Sequence, residues 1–475
     1  MKKYLTLLLF ILCGYITLAQ EKWDLRKLVE YAMQNNISVK RQDIQARLSE
    51  LTYEQSRLSQ FPTASIQNSG GYQFGRNIDP TSNQFTNSEI LFVNHSLNLG
   101  VDIFNWFSKK NTISANRFDA QAAKADVDKL KNDIALNVAN GYLQVLLNAE
   151  QIKISEVQVQ QSLEQVSITG KQVDAGSLPE LNLLELQTQL ANDSTTLLTA
   201  QANYTLSILQ LKALLNIPAD APFIIETPNA DQIPVESLAE LDPQNVYQLA
   251  IKNLPQQKAN EFRLLAAQKN VEAAKGRLYP SLSGFGGLDT RYSNAQKQYV
   301  KSLTGVTLPI GFVQIGSDIY TVNTNTEQPS SFGKNTYFRQ VGNNFNQSIG
   351  LALNIPIFNG GTTRTNLKRA QLNVKDVELQ KELASQTIKQ DIYQAHASAV
   401  AALQKYNSNI KSVATAEKAY DYAKKRYDIG LLNTIDLITN QNNLFRAKIN
   451  LVSAQYDYVF KMKVLEFYKG QGIKL

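Results

Sequence analysis

Apolar positions along this chain follow two periods that alternate in the same order twice. From about Trp23 to Phe61, Leu25, Leu28 and Ala32, then Ile44, Leu48 and Leu51, fall at three- and four-residue steps, which predicts one helix ended by Pro62. Between Thr63 and Leu97 the composition turns to Ser, Asn, Gly, Gln and aromatics and predicts a strand, a loop and a second strand. In that second strand Leu97, Leu99, Val101 and Ile103 alternate with Ser96, Asn98, Gly100 and Asp102, so one face is apolar and the other polar. From Phe107 to Asp174 there is no proline, and Leu130, Ile134, Val138, Tyr142, Val145, Ala149 and Ile152 form one stripe. This predicts a helix of roughly 65 residues, or ~100 Å, far beyond a globular helix. Gly176 ends it, since a residue without Cβ suits the left-handed position after a helix C-terminus. Ser177 and Glu180 then fit a capping box with Pro179 in the first turn of the next helix. That helix carries Leu183, Leu190, Leu197, Tyr204 and Leu211, a seven-residue period that implies left-handed supercoiling against neighbours. Five prolines between Pro218 and Pro243 mark a non-helical link.

The second half repeats the plan. Val246, Ala250 and Asn253 open a helix that ends at Tyr279-Pro280, and Ile349, Leu351, Leu353, Ile355 and Ile357 alternate with small or polar residues. Neither glycine nor proline interrupts the chain between Gly361 and Gly430. The tip Tyr427-Asp428-Ile429-Gly430-Leu431-Leu432-Asn433-Thr434-Ile435-Asp436-Leu437 lies 254 residues after its counterpart around Gly176, with Asn433 placed to cap the next helix and Asp436 three residues on. Leu437, Leu444, Leu451, Tyr458 and Leu465 repeat the heptad series at the same offset. The Pro62 to Pro280 offset is only 218, so 36 residues were added within the second strand pair, in a loop from about Tyr292 to Asn346 that can hold an extra hairpin around Val306 to Tyr320. The organisation is therefore a signal segment 1–19, a first repeat 20–217, a Pro-rich linker 218–243 and a second repeat 244–475.

Composition narrows the function classes. Lys2 and Lys3, the apolar run from Tyr4 to Cys13 and Thr17-Leu18-Ala19 have the form of a cleaved secretory signal. Cys13 is the single cysteine, so the mature chain has no disulfide and no thiolate chemistry. Removal of the signal lowers the formal charge from +7 to +5, and the dispersed basic residues form no nucleic-acid-binding stripe. His95 and His396 stand far apart without clustered carboxylates, so no metal site is expected; no phosphate loop and no nucleophile–base pair is present, so no cofactor and no catalytic residue are expected. No apolar run after the signal reaches the ~20 residues of a membrane-spanning helix. The alternating strands fit either a sheet on a soluble core or a sheet facing lipid on one side and water on the other. Their pairing, their small polar faces and the long polar loops favour the second. A sheet in lipid must close on itself, which four strands cannot do alone, so several chains would have to share one barrel.

The tandem halves, each built as helix, strand pair, long helix, glycine tip and heptad helix, resemble the TolC-type outer membrane efflux proteins. The matching motifs are Phe104-Asn105, Phe358-Asn359-Gly360-Gly361, Tyr279-Pro280-Ser281-Leu282 and Tyr427-Asp428-Ile429-Gly430 with Asp436-Leu437, over about residues 23 to 470. The resemblance implies a mainly α fold of duplicated long-helix hairpins that forms a homotrimeric α-barrel tunnel in the periplasm, joined to a 12-stranded transmembrane β-barrel in outer-membrane lipid. It implies a passive exit duct of a tripartite efflux or type I secretion system, docked to a periplasmic adaptor and an inner-membrane transporter. It places Asp436 at the narrow end of the tunnel, with Tyr427 and Asn182 in the gate. The family's second acid matches Thr439, its gating Arg matches Leu432 and the acid partner matches Asn182, which implies one acidic ring and a weak polar latch. Exposed Leu178, Leu431 and Leu432 beside Gly176 and Gly430 are the expected adaptor-docking groups. The competing reading is a periplasmic or secreted coiled-coil scaffold, which accounts for the heptads and not for the strands.

Overall fold

The computed structural model describes residues 22–78, 83–87, 89–228, 233 and 235–470, with backbone alone at 86, 299–306 and 325–332. The segment read as a signal lies outside them, as does part of the Pro-rich linker. In chain order the elements are α1 (Leu25–Asn35), α2 (Ile37–Leu58), β1 (Thr63–Gln73), β2 (Arg76–Ile78), β3 (Phe85–Asn87), β4 (Ile90–Phe104), α3 (Ser108–Asp174) and α4 (Glu180–Leu215). After a 3-10 turn at Leu238–Glu240 come α5 (Pro243–Asn253), α6 (Pro255–Gly276), β5 (Ser281–Ser293), β6 (Lys297–Ile315), β7 (Asp318–Lys334), α7 (Tyr337–Asn343), β8 (Asn346–Asn354), α8 (Thr362–Asp428) and α9 (Thr434–Tyr468). Both long helices have 67 residues.

The expected single helix before each strand pair is in fact two. At Asn36 the backbone turns extended, and the side chain holds the break: Nδ2 donates to the Leu214 carbonyl at 2.8 Å and Oδ1 accepts from the Ser38 N–H at 2.8 Å. In the second repeat the break falls at Leu254, because Pro255 cannot donate to the preceding turn and suits the first position of a new helix. The loop hairpin is longer than expected: β6 and β7 pair antiparallel from Lys297–Lys334 to Ile315–Asp318 around Gly316, whose φ is +68°.

Contacts divide the chain into two compact units that each draw on both repeats. One comprises residues 1–51, 116–267 and 372–475, the other 52–115 and 268–371. The first is helical. Its larger core joins α1, α3, α4 and α9 through Leu28, Val138, Leu146, Leu211, Leu215 and Val459. A second core joins α5, α8 and α9 through Val246, Ala250, Ile392, Met462 and Leu465. The linker is stitched on by polar groups. The Tyr142 hydroxyl donates to the Glu226 carbonyl at 2.8 Å, and buried Lys463 pairs with Glu466 at 2.8 Å while Glu466 accepts from the Glu236 N–H at 2.9 Å.

The second unit is a four-stranded antiparallel sheet in the order β1-β4-β5-β8, which leaves β1 and β8 as open edges. Its register sorts the faces. Leu97, Leu99 and Val101 of β4 lie opposite Leu288, Gly286 and Gly284 of β5, which lie opposite Gln347, Ile349 and Leu351 of β8. Ala64 and Ile66 extend this apolar face onto β1. The other face carries Ser65, Gln67, Ser96, Asn98, Ser283, Asp289, Asn346 and Ser348, with Ile90, Phe92 and Phe285 among its apolar exceptions. Ile349, Leu351 and Leu353 are 93%, 68% and 63% exposed in one chain, so the β8 part of the apolar face has no protein cover, while α7 packs over its far end through Tyr337 on His95 and the Val341 carbonyl on Thr290. From Leu282 to Tyr292 it spans about 25 Å if the strands tilt by about 40°, which is the height of a transmembrane apolar band. Trp106 and Tyr279 pack with tilted rings near one end of this face and Tyr292 and Tyr337 near the other, as aromatic girdles do.

Candidate functional site

The two helical-hairpin tips carry the residues that the sequence singles out. At the second, Gly430 has φ +76°; its N–H donates to the Tyr427 carbonyl at 2.9 Å and the Leu431 N–H to the Arg426 carbonyl at 2.8 Å. These two bonds close the C-terminus of α8 as a Schellman motif. Asn433 caps α9, its Oδ1 accepting from the Asp436 N–H at 2.7 Å. At the first tip Gly176 has φ +74°, and the Gly176 and Ser177 N–H groups close α3 in the same way. The expected capping box is absent there. Pro179 is the N-cap of α4 and offers no side-chain bond, while the Ser177 hydroxyl turns back to donate to the Gln172 carbonyl at 2.7 Å. The Pro179 backbone is extended as an N-cap requires, at φ −64° and ψ 146°, with φ fixed by the ring.

Beneath the second tip, buried Tyr427 packs with Ala423 and Leu437, and its hydroxyl lies 3.4 Å from Thr169 Oγ1 on α3. Tyr427 therefore ties one hairpin to the other. Burial raises the pKa of neighbouring Tyr420, with the Asp428 and Glu164 charges adding to the effect. Asp436 is exposed and Asn182 half-buried, and among the described residues no hydrogen bond or ion pair joins Asp436, Tyr427 and Asn182. The expectation that Leu178, Leu431 and Leu432 are all exposed needs correction. Leu431 is 64% exposed, but Leu432 packs on the Tyr427 cluster and Leu178 is half-buried. The exposed apolar groups at the tips are Leu431 with Ile429, Ile435 and Leu181, which the helical pattern alone did not single out.

Further along the hairpins lies a buried polar network that the sequence reading missed. Asp193 of α4 accepts from Ser162 at 2.5 Å, Gln189 at 2.8 Å and Gln158 at 3.5 Å. Gln441 of α9 donates to Ser162 at 3.2 Å, and Asn442 exchanges two bonds with Gln189. Burial pushes the Asp193 carboxyl above its usual value, and the three donated hydrogen bonds offset part of that. The signal was present: Ser155, Gln158, Ser162, Gln165 and Thr169 occupy three- and four-residue steps where a coiled coil usually puts apolar side chains. These helices thus meet through a seam of hydrogen bonds near their tips and through apolar cores farther on. No cluster of His, Cys, Asp and Glu able to hold a metal ion occurs among the described residues.

With this architecture in view, comparison with known proteins is direct. The chain is 20% identical over 394 residues to the outer membrane efflux protein BepC of Brucella suis, covering 82% of this chain and 74% of that one. It is 21% identical over 332 residues to the outer membrane protein TolC of Escherichia coli, covering 69% of this chain and 59% of TolC. The crystal structure of CusC superposes with a TM-score of 0.75 at 18% identity, over 96% of both chains, so the fold is shared. Residues 28–216 and 246–470 match the outer membrane efflux protein family, and the chain belongs to that family: it is an outer-membrane efflux channel with a helical tunnel in the periplasm.

Proposed function

We propose that three copies of this chain close one barrel and one tunnel and serve as the passive exit duct for a periplasmic adaptor and an inner-membrane transporter. The observation that carries this reading is the open four-stranded sheet, apolar on one face, polar on the other and unpaired at β1 and β8. In lipid those edges must be paired, and a neighbouring copy supplies an antiparallel β1 to each β8. Cleavage after Ala19 and two repeats, 20–217 and 244–475, complete the organisation. The strand loops then face the exterior and the glycine tips face the inner membrane. Asp436, exposed at the start of α9, is read as one acidic ring around the tunnel mouth, with Tyr427 and Asn182 in the gate around it. Gly176 and Gly430 shape the tips, and Leu431 and Leu432 at one tip and Leu178 at the other meet the adaptor.

The test is planar-bilayer recording of Asp436→Ala against the parent trimer. Loss of cation preference and of blockade by multivalent cations is expected. Identical reversal potentials in asymmetric salt would remove the ring from the reading. Cysteines at Leu431 and Leu178 should crosslink an adaptor in intact cells, and an absence of capture from both tips would place docking elsewhere.

A further inference from the structure

Where the chain leaves β4 and β8, the two repeats make the same turn with different residues. The second repeat uses Gly360 and Gly361, at φ +64° and +79°; at the same offset of 254, the first holds Trp106 and Phe107 at φ +51° and +61°. A left-handed backbone disfavours bulky residues and is the usual province of glycine. Trp106 and Phe107 are nonetheless 43% and 58% exposed, so burial does not account for them. Trp106 packs at a tilt against Tyr279 at 4.8 Å and Phe104 at 5.4 Å between ring centroids, at the end of the apolar face. The strained turn presents two aromatic rings at the level where a bilayer meets water.

The chain on this rim is basic. Segments 55–62, 105–115, 273–280 and 355–371 together carry eight Lys and Arg and no Asp or Glu; of the acids that border them, Asp102 pairs with Lys109 at 2.6 Å. At the end of the β5–β8 strand pair a cavity of about 200 Å³ is lined by Arg277, Arg364, Ile357 and Phe358 among others. Both arginines are exposed, and neither has a hydrogen bond or ion pair among the described residues. Ile357 and Phe358 are 93% and 86% exposed in one chain. Unpaired guanidinium groups beside bare apolar side chains complement an amphiphile with an anionic phosphate head. The phosphate accepts from the guanidinium donors while the acyl chain covers Ile357 and Phe358.

We propose that the periplasmic rim of this barrel is a binding surface for anionic phospholipid of the facing leaflet, with Arg277 and Arg364 holding the phosphate and Trp106 and Phe107 anchoring the rim among the acyl chains. This rests on the outer-membrane location and not on conduction.

The experiment is native mass spectrometry of the intact trimer released from micelles containing equal phosphatidylglycerol and phosphatidylcholine. Each arginine at a membrane surface favours the anionic lipid roughly fivefold, so the parent should retain phosphatidylglycerol roughly 25-fold over phosphatidylcholine at this site. The pair Arg277→Gln with Arg364→Gln should fall to near parity, and the pair Arg277→Lys with Arg364→Lys should keep most of the preference. Channel recordings of the same proteins in a zwitterionic bilayer should be unchanged, which separates lipid binding from the duct reading. Parity in the parent, or an undiminished preference in the glutamine pair, overturns the proposal. If the glutamine pair fails to assemble, the parent and the lysine pair still decide it. Trp106→Gly should give a folded trimer that extracts from vesicles at lower detergent, and unchanged extraction overturns the anchoring role.

Discussion

Asp193 shows how one side chain can set a property of the hairpins. It is 4% exposed and accepts three hydrogen bonds, yet burial outweighs them and its carboxyl stays protonated to higher pH than usual. A raised acid pKa means that the folded protein holds a proton which the unfolded chain has released. Stability therefore falls as pH rises from the ordinary carboxylate value, about 4, through the raised folded value, and stays lower above it. Asp119, raised by burial beside Arg263, adds a slope of the same sign. The thermal midpoint of the trimer should accordingly climb as pH is lowered through the raised value toward about 4, and the climb should be smaller in Asp193→Asn. A parallel pH profile in that variant would show the network to be indifferent to its charge. Asp193→Ala strands the donors of Ser162, Gln189 and Gln158, and should cost roughly 1–3 kcal/mol.

Among the elements, the sheet depends on glycines that leave room for neighbours. Phe285 of β5 lies across Gly350 of β8 on the polar face, and a Cβ at Gly350 would stand 2.6 Å from the ring tip. This is an aromatic ring covering a glycine on the edge strand, the one proposed to pair with the next copy. Gly350→Ala should displace Phe285 and lower trimer stability by roughly 1 kcal/mol, whereas in a Phe285→Ala background the same change should be nearly silent. Thermal dissociation of the four variants on gels measures the coupling, and additive effects would mean that the ring does not rest on this glycine. The helical elements obey different rules. The 67-residue helices and the heptad series were legible because both periods are local, and the glycine tips because a left-handed φ has few tenants. The breaks at Asn36 and Leu254 were missed. Asn36 breaks the helix through a partner 178 residues away, and Pro255 was passed over because apolar spacing continues through it.

For the whole molecule, the sorting of faces sets what each position tolerates. Leu351 lies on the apolar face at mid-sheet and Ser348 on the polar face of the same strand. Leu351→Arg should cost about 2–4 kcal/mol and abolish outer-membrane assembly, as a charge facing lipid does. Ser348→Arg should assemble and shift ion selectivity toward anions. Heat-resistant trimer on gels and reversal potentials measure the two effects. Equal tolerance of both changes would remove the lipid-facing assignment.

The sequence alone determined the duplication, the long helices, the glycine tips with Asn433 as a cap, and the alternation of the strands, because each depends on residues within a few positions of one another. Only the tertiary structure decided that four strands join across the repeats as β1-β4-β5-β8, with a register that puts Leu97, Leu288 and Gln347 in one row. It also decided that Asn36 meets the Leu214 carbonyl and that Arg277 and Arg364 share a cavity. These outcomes hang on contacts between residues tens to hundreds of positions apart. Spacing along the chain records which face of an element is apolar, but not what will lie against it.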